Sequence, residues 1–99
     1  MSAYVISDVE IVDHELIGEY RTLAQASIAQ YGGRYLARGG AIEAVEGGWN
    51  PKGVIIVEFP DMARARAWYH SPEYAEALRI RRRALDRDLI FVDGVPEPA

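Results

Sequence analysis

Trp68-Tyr69-His70-Ser71-Pro72-Glu73-Tyr74 marks a point where one helix must stop and another begin. Ser71 is a strong N-cap residue, and Pro72 falls at the first helical position, where a missing N–H costs nothing. Beyond the restart, Tyr74, Leu78, Arg81 and Leu85 recur at i, i+4, i+7 and i+11, one face of a helix that the spacing carries through about Arg87. Upstream of the break, Asp61 caps a short helix over Met62 to Tyr69. That helix follows an apolar strand, Val54 to Phe59. Downstream, Leu89 to Val92 reads as a further strand, and Val95-Pro96-Glu97-Pro98-Ala99 as a tail.

Working back to the start, Tyr4 to Ile11 is rich in β-formers and reads as the first strand. Asp13 is a plausible N-cap, with Glu15 favourably placed in the first turn. Leu16, Ile17, Tyr20, Leu23, Ala24 and Ile28 then mark one helical face, which ends at Tyr31-Gly32-Gly33, where glycine can take the left-handed conformation. Arg34 to Arg38 is the second strand. Gly39-Gly40 reads as a bulge or kink, with pairing resuming over Ala41 to Glu46. Gly47 to Gly53 is a turn-rich connection. The order is β-α-β-β-α-β with the second helix interrupted. This is a ferredoxin-like α+β unit, a four-stranded antiparallel sheet with its helices on one face, expected to form a single domain over residues 1–99.

The apolar strands Val54-Ile55-Ile56-Val57 and Leu89-Ile90-Phe91-Val92 do not alternate. Antiparallel strands with one wet face should. The second face of the sheet is therefore expected to be covered. A chain of 99 residues has nothing left to cover it with, so a homodimer is the economical answer.

Composition narrows the function classes. The chain is 49% hydrophobic and 26% charged, an ordinary soluble profile. Its net charge of −4 argues against nucleic-acid and anionic-membrane partners. With no cysteine, disulfides and thiolate chemistry are excluded. The two histidines lie far apart without metal-ligand spacing, so no metal site is expected. Neither a dinucleotide fingerprint nor a P-loop occurs, and no cofactor is expected. No apolar run is long enough to span a bilayer, and the N-terminus has no signal-type stretch, so a cytoplasmic location is the default expectation.

Several residues are candidates for chemistry. Arg81 stands on an apolar helical stripe, where a cation needs a carboxylate or an anionic ligand to balance it. It anchors a substrate carboxylate or enolate, forms a structural ion pair with Glu58 at the end of the third strand, or stays at the helix edge with its charge in solvent. Glu58 could serve as an acid or base if buried, and His70, at the helix junction, is of a residue type suited to acid–base work or to a polar surface or capping role. Tyr20, Trp68 and Tyr74 can wall a pocket, or simply pack in the core. Arg38 can reach a cleft from its place before the glycine pair, or stay at the strand edge. Asp8 could be a second carboxylate or an exposed edge residue. His14, beside the first cap, is expected to be exposed.

The residues Tyr31-Gly32-Gly33-Arg34-Tyr35-Leu36, Arg38-Gly39-Gly40, Glu58-Phe59, Trp68-Tyr69, Ser71-Pro72-Glu73-Tyr74 and Arg81 together resemble a domain-of-unknown-function family, number 1330. The resemblance runs over nearly the whole chain. It implies a dimeric α/β-barrel fold related in shape to small monooxygenases, muconolactone isomerase and YciI-like proteins. It implies no particular reaction. From the residues, two functions are expected. One is a small-molecule dimer for a carboxylate-bearing metabolite, working by cofactor-independent proton transfer. The other is a non-catalytic ligand-sensing or interaction dimer.

Overall fold

A computed structural model describes residues 1–96 of the chain; the end of the expected tail, residues 97–99, lies outside the described residues. The elements are β1 (Ala3–Ile11), α1 (Ile17–Gln30), β2 (Arg34–Arg38), β3 (Val54–Phe59), α2 (Met62–Tyr69), α3 (Pro72–Ala84) and β4 (Leu85–Asp93). The strands form one sheet in the order β2-β3-β1-β4, and every neighbouring pair is antiparallel. This is the ferredoxin-like arrangement that the element order implies, with the second helix split in two.

The split has the cause read from the sequence. The Ser71 hydroxyl accepts from the Tyr74 amide at 3.0 Å, capping α3, and donates to the Trp68 carbonyl at 2.7 Å, closing α2. One side chain therefore serves two helix ends. Asp61 caps α2 by accepting from the Arg64 amide at 2.7 Å. Asp13 accepts from the amides of Glu15 and Leu16 at 2.9 and 3.1 Å, just ahead of α1.

Helix α1 ends in a Schellman turn. The Gly33 amide reaches the Ile28 carbonyl at 2.9 Å and the Gly32 amide reaches Ala29 at 3.1 Å, with Gly32 at φ +82°. Gly33 is required for a different reason. A Cβ there would stand 2.7 Å from the Phe59 ring and 2.8 Å from Ile28 Cγ2.

Two boundaries differ from the sequence expectation. Helix α3 stops at Ala84, and β4 begins at the next residue instead of at Leu89. The Ala84 carbonyl is taken by the amides of Val12 and Asp13 at 2.9 and 3.0 Å. Leu85 then enters the ladder opposite Ile11 in extended conformation, φ −157° and ψ 157°. Tertiary pairing with β1 thus ends a helix that its own periodicity would continue. The second difference is at Ala41 to Glu46, which forms no strand and is exposed. The register shift lies inside β2, between Tyr35 and Ala37, and not at the glycine pair.

One face of the sheet carries the core. Ala3, Val5, Val57, Phe59 and Leu85 are buried beneath Ala24, Ile28, Trp68, Tyr74, Ala77 and Ile80 of the helices. The other face has no helix. In register across it stand Ile56, Ile6 and Ile90, with Tyr4 opposite Val92. Ile90 is 56% exposed and Val92 40%. At one end of this face the apolar strip gives way to the cross-strand pairs Asp8–Asp88 and Glu10–Asp86.

Candidate functional site

Between the sheet and α1 lies a cavity of about 410 Å³. Its apolar walls come from residues the fold requires inside: Val5, Ile17, Ala24, Ile55, Val57 and Leu89. Among the described residues, the charged residues along it are Arg21, Arg38, Lys52, Arg87 and Glu10, with His14 beside them, and the register of β1 turns the Glu10 side chain to the opposite face of the sheet. A chain of net charge −4 therefore lines this cavity with a net excess of positive charge.

Arg87 is the cation that the structure fixes most firmly. It is half-buried on β4, opposite Val9, and on the helix-facing side of the sheet. Its Nη1 donates to the Tyr20 hydroxyl oxygen at 2.8 Å and its Nη2 to that of Tyr74 at 2.9 Å. The two hydroxyls are hydrogen-bonded to each other at 2.7 Å. Burial works against the Arg87 charge, but the two tyrosine oxygens outweigh it and hold the guanidinium above its ordinary pKa. Burial pushes the Tyr74 hydroxyl up strongly, so it keeps its proton. Among the described residues no carboxylate lies within ion-pair distance of Arg87. An arginine beside an apolar cavity, bonded to hydroxyls and, among the described residues, in contact with no carboxylate, is an incomplete electrostatic arrangement.

The remaining wall is aromatic. Trp68 is buried, donates from Nε1 to the Ser27 hydroxyl at 3.0 Å, and lies 4.2 Å from the Tyr74 ring centroid. On the opposite edge strand, Arg38 stacks over the Tyr35 ring at 4.3 Å and donates to Gln25 Oε1 at 3.1 Å. Burial raises the Tyr35 hydroxyl, which stays neutral.

Of the residues singled out from the sequence, Tyr20, Trp68 and Arg38 line this cavity, and Tyr74 supports it from behind. Three others are placed elsewhere. Arg81 is half-buried near the end of α3 and does not line the cavity. The stripe that suggested it runs out at Ala84, because Leu85 is already strand. Glu58 does not pair with Arg81; it faces away from the helices and accepts from Arg34 Nε at 2.7 Å across β2 and β3. That bond from Arg34 holds the Glu58 carboxyl below its ordinary pKa, the reverse of the raised value expected for a buried acid. His70 is exposed at the end of α2, away from the cavity.

Asp8 has a structural task. Its Oδ1 accepts from the amides of Lys52 and Gly53 at 2.8 and 3.2 Å, and its Oδ2 from Trp49 Nε1 at 3.3 Å. It thereby holds the end of the 39–53 connection against β1. His14 is exposed as expected, and it also lies at the cavity.

The sequence reading passed over Arg87, though a signal for it was present. Leu85, Arg87, Leu89 and Phe91 alternate with Asp86, Asp88 and Ile90, a period of two that marks a strand. Assigning residues 85–87 to the preceding helix hid it.

Comparison with solved structures agrees on the fold. A protein of unknown function from Rhodopseudomonas palustris, RPA0582, superposes with a TM-score of 0.77 at 19% identity, covering 97% of this chain and 84% of that one. A dimeric ferredoxin-like protein of unknown function from Thermobifida fusca gives 0.65 at 19% identity, with coverages of 94% and 91%. SnoaB from Streptomyces nogalater, a cofactor-independent oxygenase, gives 0.66 at 11% identity, with coverages of 97% and 95%. No curated protein matches the chain. A family model does, over residues 2–95, and with the helix cap at Ser71, the Schellman turn at Gly32-Gly33 and the ferredoxin-like sheet in place, the chain belongs to the domain-of-unknown-function family DUF1330.

Proposed function

We propose that this protein is a homodimer whose cavity binds a small apolar acid, carboxylate inward against Arg87. The observation that carries the reading is Arg87 itself: a half-buried guanidinium beside an apolar cavity, bonded to two hydroxyls and, among the described residues, without a carboxylate partner. An anionic ligand would complete it. The volume of about 410 Å³ falls within the range of ordinary small-molecule sites. Arg21, Arg38 and Lys52 would draw anions toward the opening.

The chemistry we assign is proton transfer without a cofactor. His14 is the side chain beside the cavity suited to accept a proton, and it takes the place of His70 and Glu58 in this role. Dimeric and cofactor-independent relatives of the same shape support the assembly and the absence of a helper group. The alternative, a ligand-sensing dimer, keeps the binding and lacks the proton transfer.

Three probes with one phenylpropyl body separate these readings: 3-phenylpropanoate, 3-phenylpropan-1-ol and 3-phenylpropylamine. Calorimetry is expected to give the order acid, alcohol, amine, and Arg87→Met to abolish the preference for the acid. Equal affinity for all three would refute the anionic site. Phenylpyruvate in D2O then tests the chemistry. Accelerated exchange of its methylene protons, lost in His14→Ala, marks an enzyme; binding without acceleration marks a sensor.

A further inference from the structure

The hydroxyl pair beside Arg87 has a direction, and the direction identifies a further ligand-contacting group. Three hydrogen bonds join three groups: Arg87 Nη1 to Tyr20 at 2.8 Å, Arg87 Nη2 to Tyr74 at 2.9 Å, and hydroxyl to hydroxyl at 2.7 Å. A guanidinium only donates, so both tyrosine oxygens accept from it. The two hydroxyls own two protons, and the bond between them uses one. The other must go elsewhere.

Burial decides which. Tyr74 has 0% exposure and lies outside the cavity lining, and among the described residues its oxygen meets no further acceptor. If Tyr20 donated to Tyr74, the Tyr74 proton would be a buried donor with no partner, which native interiors avoid. Tyr74 therefore donates to Tyr20. The Tyr20 oxygen then accepts twice, from Arg87 and from Tyr74, and both of its lone pairs are engaged. What remains on Tyr20 is its proton, and Tyr20 lines the cavity. The strongly raised Tyr74 hydroxyl agrees with a group that holds its proton as a donor.

We propose that Tyr20 is an obligate hydrogen-bond donor into the cavity, locked in that sense by Arg87 and Tyr74, and that the ligand meets it with an acceptor oxygen of a carboxylate or enolate. The assignment rests on the binding reading above and deepens it. Arg87 keeps N–H groups beyond the two it gives to the tyrosines, so one ligand oxygen can meet the Tyr20 hydroxyl while the other meets the guanidinium. A site whose hydroxyl could turn would accept alcohols and amines as readily; a locked donor discriminates against a group that can only donate, such as an ammonium.

The experiment combines binding with direct observation of the hydroxyl protons. Wild type, Tyr20→Phe and Tyr74→Phe are titrated with 3-phenylpropanoate and 3-phenylpropylamine. Wild type is expected to bind the acid, and Tyr20→Phe to bind it on the order of 10- to 100-fold more weakly, the worth of a hydrogen bond to a charged group. Affinity for the amine should not fall. In wild type labelled with ζ-13C tyrosine, the carbon isotope shift in mixed H2O and D2O reports slow hydroxyl exchange. The slow hydroxyl should be that of Tyr74, assigned through its ring neighbours Trp68 and Tyr69, with Tyr20 slowing only when the acid is added. This measurement needs no variant, so misfolding of Tyr20→Phe would not blunt it. A slow Tyr20 hydroxyl in the empty protein beside a fast Tyr74 would overturn the direction. Unchanged acid affinity in folded Tyr20→Phe would overturn the ligand contact and leave the anionic site standing. Failure of wild type to bind the acid at all would overturn both.

Discussion

Ser71 shows how much one small side chain can settle. Its hydroxyl accepts from the first turn of α3 and donates to the Trp68 carbonyl in the last turn of α2, in a buried position. Ser71→Ala should cost about 1–2 kcal/mol by denaturant unfolding, since it removes the cap on the Tyr74 amide and one of the two hydrogen bonds that the Trp68 carbonyl accepts. Ser71→Thr should recover most of this. Ser71→Asp, a good cap at an exposed helix start, should not, because a carboxylate cannot donate to Trp68. Recovery by aspartate equal to threonine would show that the donated bond contributes nothing. Asp8 offers a test by pH. The amide of Lys52, helped by Gly53 and the Trp49 indole, holds its carboxyl below the ordinary value against a smaller opposing effect of burial. A depressed folded pKa means that stabilisation is complete above the unfolded value of about 4 and disappears as pH falls through the lower folded one. The melting temperature of wild type should therefore exceed that of Asp8→Asn more at pH 6 than at pH 3. A gap that does not change between those pH values would remove the charge from the explanation.

At the scale of elements, the turn from α1 into β2 carries the tightest packing. Gly32 supplies the left-handed residue of the Schellman turn, and Gly33 lets the chain pass against Phe59 and Ile28. Phe59 is fully buried and cannot move aside. Gly33→Ala should destabilise by about 1–3 kcal/mol, the usual cost of overpacking. A companion change, Phe59→Leu, should relieve part of the clash, so the double variant should be more stable than the sum of the two predicts. Strict additivity would mean that the two side chains do not compete for space. The junction of α3 and β4 is governed differently. No turn residue separates them, and the amides of Val12 and Asp13 take the last helical carbonyl. That junction sets the parity of β4, and the parity aims Arg87 at the cavity and Asp86 and Asp88 at the opposite face.

For the molecule as a whole, the open sheet face is the dominant feature. Ile56, Ile6 and Ile90 make an apolar row across three strands, which no helix among the described residues covers. A face of this kind calls for a partner, and the proposed homodimer would cover it with its own equivalent across a two-fold axis. Sedimentation at micromolar concentration should give about twice the 11.0 kDa chain mass. Ile90→Lys should halve that mass or drive aggregation, whereas Leu36→Lys, on the edge strand, should perturb it less. A monomeric wild type would sink the dimer and leave the cavity reading untouched, because the cavity lies on the other side of the sheet.

Local chemistry determined most of the elements. The caps at Asp13, Asp61 and Ser71, the glycine stop after α1 and the apolar strands act over a few residues, and each could be read from the chain alone. So could the lack of alternation in Val54 to Val57 and Leu89 to Val92, which pointed to the uncovered face. Part of the site was legible as well: Tyr20, Trp68, Tyr74 and Arg38 sit on the periodic faces that carry them to the cavity or its back wall. What only the tertiary structure decided was where α3 ends, and with it which arginine meets those tyrosines. Helical periodicity favours Arg81, because nothing within residues 72–87 forbids another turn. Pairing of Leu85 with Ile11 and capture of the Ala84 carbonyl by Val12 and Asp13, just past β1, come from residues more than 70 positions away. Hydrogen bonds of that range outweigh a local preference worth only tenths of a kcal/mol per residue, about. They turn Arg87 toward Tyr20 and Tyr74, and leave Arg81 at the side of a helix.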